Sequence, residues 1–481
     1  MMNTDVSAPN AAFVAPDWSV AVPVLPELVL LAAGVALVLL DLFAPRQRQV
    51  LRWLTALGAG IALLVTLRLR TPQTEGAMLV NDGYAAFFGA LCLGSVILTA
   101  LLRETYPRRG EFFSLLTFSA MGMLVMTAAA DLMTIYLGLE LMALPLYVLV
   151  GMRKRDPRTS EAAAKYFLTG VFASAFLLFG MSLLYGLAGT SNLAQIGALA
   201  PTGHPALLVA LGLVLVGLCF KVAVVPCHMW TPDVYEGAPT TLAAFMSVGP
   251  KAAGFAVFGR MLFTIFPDLA PAWGPILTLL AVLTMLVGNL AALAQKSLKR
   301  MLAYSAIAHA GYALLGLAAG TAEGQAAAMS YLFIYLFMNT GAFAILLLLA
   351  RGREDHEGIE SCRGLALRNP LPALCMLVFM FSLTGIPPTG GFAGKFFLFK
   401  TALAAGHTVA VVLAVLLSAV SAFFYLRVVR LMYMSPADGE PPLAQPRDGV
   451  VAVLVIAALG TLLLGLAPGP LFDWAGRALV P

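Results

Sequence analysis

TGIPPTGGFAGKFFLFK, residues 384–400, decides how the rest of the chain is read. It sits inside a long apolar stretch near 371–404, yet holds two prolines, four glycines and Lys395. Proline removes a helix hydrogen bond and clashes with the preceding turn. Irregular backbone survives at membrane depth only where it is buried in protein or lines a wet cavity. VAVVPCHMW (222–230) repeats the pattern, with Pro226 just after Lys221. Two interrupted apolar segments at corresponding places in two halves point to a transporter fold built from inverted repeats. Residues 384–395 are therefore expected to be non-helical, with Gly385 to Gly391 supplying the freedom.

Working outward, the chain has 481 residues, 60% hydrophobic and only 11% charged, with a mean hydropathy of +0.91. Soluble domains carry roughly 25% charged residues, so a soluble fold is excluded. A membrane-spanning helix needs about 20 mostly apolar residues. Runs of that kind lie near 24–42, 50–67, 84–102, 112–129, 131–151, 162–188 and 206–226. More follow near 240–265, 274–293, 301–319, 325–350, 371–404, 408–433 and 448–468. Lipid offers the backbone no hydrogen bonds, so the runs are helices. The expected fold is all-α and integral to the membrane, with about fourteen transmembrane helices and two inverted five-helix repeats, each with a broken helix. An N-terminal three-helix segment (1–111) precedes the first repeat (112–265, spans four to eight). The second repeat covers 274–433, and a loop with the last span covers 434–481.

Charge supports that count. With the first loop cytoplasmic, alternate loops hold Arg46, Arg48, Arg52; Arg103, Arg108, Arg109; and Arg153, Lys154, Arg155, Arg158. Later ones hold Lys296, Lys299, Arg300; Arg351, Arg353, Arg363, Arg368; and Arg427, Arg430, Arg447. The other side receives only Arg68, Arg70, Arg260 and Arg477. Basic residues concentrate on the cytoplasmic side, so both termini are expected outside. Residues 1–23 lack a basic leader region, so no signal peptide is expected. Five cysteines form no C-x-x-C pair and no zinc-type spacing, and Cys227 beside His228 reads as ordinary packing.

Five lysines fall within or at the edge of apolar spans: Lys165, Lys221, Lys251, Lys395 and Lys400. Lys165 and Lys400 lie near helix ends and can snorkel to the interface. The other three lie deep. Glu140 lies halfway along DLMTIYLGLELMALPLYVLVG (131–151), and His309 is the histidine inside a span, in QKSLKRMLAYSAIAHAGY (295–312). A charge at mid-membrane costs about 2.5–3.5 kcal/mol on insertion scales. Glu140, Lys221, Lys251 and Lys395 together therefore cost roughly 10–14 kcal/mol, which favours function over decoration. A lysine taken out of water can exchange a proton where an exposed one stays charged. Moving a carboxylate relative to it changes its proton affinity about ten- to a thousand-fold. Such a switch needs no cofactor. No nucleotide loop, haem motif or iron–sulfur cysteine set occurs, so the chain is expected to do no redox chemistry itself.

HMWTPDVYEGAPTT (228–241), flanked by Lys221 and GPKAAG (249–254), resembles a signature of the antiporter-like subunits of proton-pumping NADH:quinone oxidoreductase, respiratory complex I. KRMLAYSAIAHAGY and GIPPTGGFAGKF resemble the matching segments of that family's second repeat, and the likeness runs from about 112 to 433. The resemblance implies a Glu140–Lys221 pair, with Lys251 and His309 carrying a proton axis on to Lys395. It also implies partner subunits that hold NAD, FMN, iron–sulfur clusters and quinone, in a hetero-oligomer set in lipid, with no nucleic acid. Of three paralogues, the one without a lateral helix, with lysine rather than glutamate at position 395, fits best. That paralogue lies beside the small membrane subunits that lead to the quinone site. A bacterial plasma membrane is the expected location. A subunit of a multisubunit sodium/proton antiporter or of a membrane-bound hydrogenase shares the repeats and the Glu–Lys pattern, and a structural scaffold is the third alternative.

Overall fold

The computed structural model describes residues 22–43, 48–71, 76–102, 110–200, 203–350, 357–437 and 448–480. Arg46, Arg103, Arg108, Arg109, Arg351, Arg353, Arg447 and both chain ends lie outside the described residues. Helices run in the order α1 (Leu25–Phe43), α2 (Arg48–Arg68), α3 (Gly83–Leu101), α4 (Gly110–Ala128), α5 (Leu132–Val150), α6 (Pro157–Ala188) and α7 (Leu193–Leu199). Then come α8 (Pro205–Val222), α9 (Trp230–Gly237), α10 (Thr240–Ile265), α11 (Ala270–Leu293), α12 (Leu298–Ala318) and α13 (Ala322–Ala350). The series closes with α14 (Leu365–Arg368), α15 (Pro370–Thr384), α16 (Gly390–Ala404), α17 (Thr408–Met434), α18 (Asp448–Leu466) and α19 (Gly469–Ala478). β pairing among the described residues is limited to three isolated bridges.

Thirteen of these helices are long and apolar enough to cross a membrane, and α15 with α16 supplies the interrupted fourteenth crossing. Short α7 and α19 were not evident in the apolar pattern. A helix apolar all round belongs in the interior of a bundle. The apolar stretch of α10 is wholly buried and α12 is almost so, whereas only a third of α1, α2 and α18 is covered. Outer faces carry Phe43, Leu57, Phe172, Phe179 and Phe423 in the open, as a lipid-facing surface requires. Arg260 pins α10 to the start of α3 through two 3.0 Å hydrogen bonds to the Asp82 carboxylate, which ties the N-terminal helices to the core.

Both breaks are built alike. Helix α8 ends at Ala223 in the left-handed region (φ 62°), and the Val224 N–H donates back to Cys219 O at 2.8 Å. Helix α15 ends at Gly385 (φ 93°), and the Ile386 N–H donates to Phe381 O at 2.9 Å. This is the same helix-ending cap used twice; the alanine adopts a conformation usually left to glycine. Val225–Pro226 and Pro387–Pro388 are cis in the respective breaks. The second break is shorter than expected. It covers 385–389, and residues 390–395 are helical. Gly390 and Gly391 start α16 instead of unwinding it, because the Gly391 N–H donates to Ser382 Oγ at 2.9 Å. A side chain at Gly391 would overlap the Ser382 carbonyl, so this glycine serves close approach of the two half-helices.

Candidate functional site: a buried line of charged and aromatic groups

Each deep charge sits where a helix is irregular. Pro145 lies within α5 five residues after Glu140, and Pro250 in α10 directly precedes Lys251. Lys221 occupies the last turn of α8, and Lys395 the second turn of α16. An interior proline or a helix end leaves backbone carbonyls without their helical partner, which makes polar spots in apolar surroundings.

Helices α5 and α6 form the first station. Glu140 is half-buried and accepts a 2.6 Å hydrogen bond from Ser174 Oγ of α6. Lys221 is buried, and its Nζ has no hydrogen-bond partner among the described residues. No direct ion pair joins it to Glu140, contrary to the expected contact. The carboxylate is taken up by Ser174, and the ammonium faces the rings of Phe220 and Tyr147 at 5.8 and 6.0 Å. Tyr147 meets Tyr166 edge-on at 4.7 Å, and Tyr166 stacks on Trp230 at 4.6 Å. Trp230 meets Tyr235 at 6.2 Å, and Lys251 Nζ lies 5.8 Å from the Tyr235 ring. An aromatic string thus runs from Lys221 to Lys251, with the Tyr147 and Tyr235 hydroxyls unpartnered among the described residues.

The second station is the bundle centre. Lys251 Nζ donates to Ala306 O of α12 at 2.9 Å, one turn before His309. Lys251 and His309 line one small cavity with Ser247 and Tyr335. About 10 Å³ of it is open to a water-sized sphere, room for about one water molecule. His309 Nδ1 bonds the Tyr331 hydroxyl, and Nε2 bonds the Tyr425 hydroxyl at 3.1 Å. His309 thus shares a cavity with Lys251, and the Tyr312 ring stands between it and Lys395.

At the third station, Lys395 Nζ donates to Leu383 O at 3.0 Å, Thr384 O at 2.9 Å and Ser418 Oγ at 2.9 Å. The two carbonyls end α15, where the helix dipole is negative. The Tyr312 ring lies 4.6 Å from Lys395 Nζ and 5.9 Å from the His309 ring. The break in α15–α16 therefore places a lysine at its own helix end.

The structure brings Lys251, His309 and Lys395 into one cluster and leaves Glu140 and Lys221 nearby but apart from each other. No individual tyrosine or serine of this line stands out in the sequence, although Tyr331 and Tyr335, one turn apart in an apolar run, are a usable signal. Lys299 is expected in a cytoplasmic loop. Lys299 is 1% exposed and donates to Ala238 O at 2.9 Å and to Glu357 at 3.1 Å. Lys165 is exposed, as snorkelling implies, but is held by Asp233 at 2.8 Å and Glu161 at 2.6 Å. Among the described residues no cluster of three His, Cys, Asp or Glu could hold a metal ion.

A family profile described as NADH:quinone oxidoreductase/Mrp antiporter, transmembrane, matches residues 129–421. NADH-quinone oxidoreductase subunit N of Desulfovibrio desulfuricans is 53% identical, over 93% of this chain and 95% of the relative. A chain of respiratory complex I from Thermus thermophilus, solved with bound aureothin, superposes with a TM-score of 0.82. It is 38% identical, over 93% of this chain and 98% of that one. A chain of an archaeal membrane-bound sulfane sulfur reductase superposes with a TM-score of 0.86, at 26% identity, over 95% and 96% of the two chains.

Proposed function

The chain belongs to the subunit N family of NADH-quinone oxidoreductases, and from that premise we propose that it carries protons along Glu140, Lys221, Lys251, His309 and Lys395. It is a membrane subunit of a proton-pumping, hetero-oligomeric respiratory complex. In the proposed mechanism Glu140 switches between Ser174 and Lys221. On Ser174 it leaves the lysine ammonium unpaired, which is costly in a buried site; beside Lys221 it stabilises the charge. The change in proton affinity passes to Lys251, then through His309 and its tyrosines to Lys395. Unpartnered buried polar atoms take ordered water where there is room, and the Tyr147, Tyr235 and Tyr335 hydroxyls and Lys221 Nζ are such atoms.

The observation that carries the proposal is the place of His309, in one cavity with Lys251 and one tyrosine ring from Lys395, with a tyrosine hydroxyl on each ring nitrogen. Histidine bonded at both nitrogens can accept at one and release at the other. Quinone reduction elsewhere in the complex drives the switch. This chain does no redox chemistry, and NAD, FMN, iron–sulfur clusters and quinone belong to partner subunits. The repeats 112–265 and 274–433 each contribute one broken helix. The protein lies in a bacterial plasma membrane with both termini on the periplasmic side. Ordered waters joining Lys221 to Lys251 and Lys251 to Lys395 in a high-resolution map of the assembled complex are the expected result. Only apolar atoms between these neighbours would defeat the proposal.

A further inference from the structure

Helix α9 has eight residues and is separated from α8 by the break at 223–229. Side chains from two other helices hold it. Asp233 of α9 accepts from Lys165 Nζ of α6 at 2.8 Å and from Arg300 Nη2 of α12 at 2.9 Å. Arg300 also binds Glu236 of α9. At the far end of α9, Thr159 Oγ1 of α6 donates to Gly237 O, and Lys299 Nζ of α12 donates to Ala238 O, each at 2.9 Å. Two long helices therefore grip the same short one at two levels, and one carboxylate is shared between them.

The gripping helices also reach the first station of the axis and its centre. On α6, Ser174 lies nine residues beyond Lys165 and holds Glu140. On α12, His309 lies nine residues beyond Arg300. Each stretch is continuous helix, a rod of about 13–14 Å at 1.5 Å per residue. We propose that Asp233 is a positioning residue that ties α6 to α12 through α9, so that release of Glu140 from Ser174 at the first station is accompanied by movement of His309 at the centre. This rests on the proton axis proposed above. A solvated ion-pair rim is the plainer alternative, since exposed pairs contribute little to stability. It does not account for cations from two helices converging on one carboxylate, or for Lys299 of α12 buried against the same half-helix. Coupling between distant sites requires an element that both ends bias, and α9 has the position and the contacts for it.

The test is made in the whole complex, purified and reconstituted into proteoliposomes, with turnover counted per assembled complex. Asp233→Asn keeps the shape and removes the charge. Assembly is expected at the wild-type level, with NADH-driven proton translocation and quinone reduction each at least threefold lower. Lys165→Gln should lower both too, and the Asp233→Asn/Lys165→Gln double variant should be no worse than Asp233→Asn alone, because both break the same bond. Asp233→Glu should recover more than half of the rate. Unchanged turnover in Asp233→Asn overturns the proposal, as does a double variant whose loss is the product of the single losses. Reduced assembly with normal turnover per complex also overturns it, since that marks a purely structural role. Should Asp233→Asn fail to assemble, Lys165→Gln decides, because it removes the more exposed partner: normal turnover there overturns the tie. Lys221→Met measured alongside separates the two readings. Normal pumping in that variant defeats the axis and the tie with it. A Lys221→Met that has lost pumping, beside a fully active Asp233→Asn, leaves the axis standing and removes the tie alone.

Discussion

Replacing Lys395 separates a proton carrier from a charge that merely holds α15 and α16 together. Its Nζ makes three hydrogen bonds of 2.9–3.0 Å, two of them to carbonyls at the end of α15. Hydrogen bonds to charged groups contribute about 1.5–3 kcal/mol each, so Lys395→Met forfeits roughly 4–9 kcal/mol of gross interaction. Removing the charge returns about 2.5–3.5 kcal/mol of insertion cost, and Ser418 Oγ still donates to Thr384 O at 3.1 Å. The variant should therefore be destabilised by a few kcal/mol and still assemble. Lys395→Arg is the sharper change. Arginine stays protonated at any accessible pH, and its planar fork can reach two carbonyls at once. It should restore the stability lost in Lys395→Met without restoring proton transfer. In proteoliposomes both variants should lose at least tenfold in coupled quinone reduction, a barrier of about 1.4 kcal/mol, with acidification falling in parallel. An active Lys395→Arg would refute the reasoning, because a permanently charged group would then suffice.

Three smaller outcomes follow from the same geometry. Tyr425→Phe removes the partner of His309 Nε2; an unsatisfied buried group costs about 1–3 kcal/mol, and coupled turnover should fall several-fold in a complex of normal composition. Gly391→Ala forces the two half-helices of the second break apart, since the added carbon meets the Ser382 carbonyl; overpacking of this kind costs about 1–3 kcal/mol, readable as a lower thermal inactivation temperature. Cys362 is buried in the loop before α14, and burial pushes its thiol up to about 12. It should resist iodoacetamide at pH 8 until the protein is denatured, which mass spectrometry of the alkylated peptide checks.

Much of the architecture was legible in the chain because lipid leaves the backbone few options. Apolar runs alone placed the spans, and prolines marked both breaks. The deep charges stood out because an isolated charge in an apolar run is expensive. What depends on packing between distant segments was not legible. Glu140 and Lys221 were expected to pair, but the partner of a buried carboxylate is set by which helix lies alongside, and α6 presents Ser174. Lys299 reads as a loop residue because nothing near it in sequence shows that Ala238 and Glu357 will cover it. The extent of the second break was overestimated because glycine both loosens a helix and permits close contact, and here the second role prevails. The tyrosines of the line read as ordinary interior residues until their hydroxyls are seen to converge on His309 and Lys251.

The central claim is that protons move through this subunit by way of the Glu140–Lys221 switch. Its most direct test is NADH-driven acidification of proteoliposomes holding the purified complex, recorded beside quinone reduction for Glu140→Gln and Lys221→Met. Glu140→Gln keeps the hydrogen bond with Ser174 within reach while removing the charge, and Lys221→Met removes the acceptor. Both variants should assemble, and in both proton translocation and quinone reduction should fall together, since a stalled pump in a coupled machine holds back electron transfer. Normal pumping in both would contradict the mechanism, whatever else the fold supports.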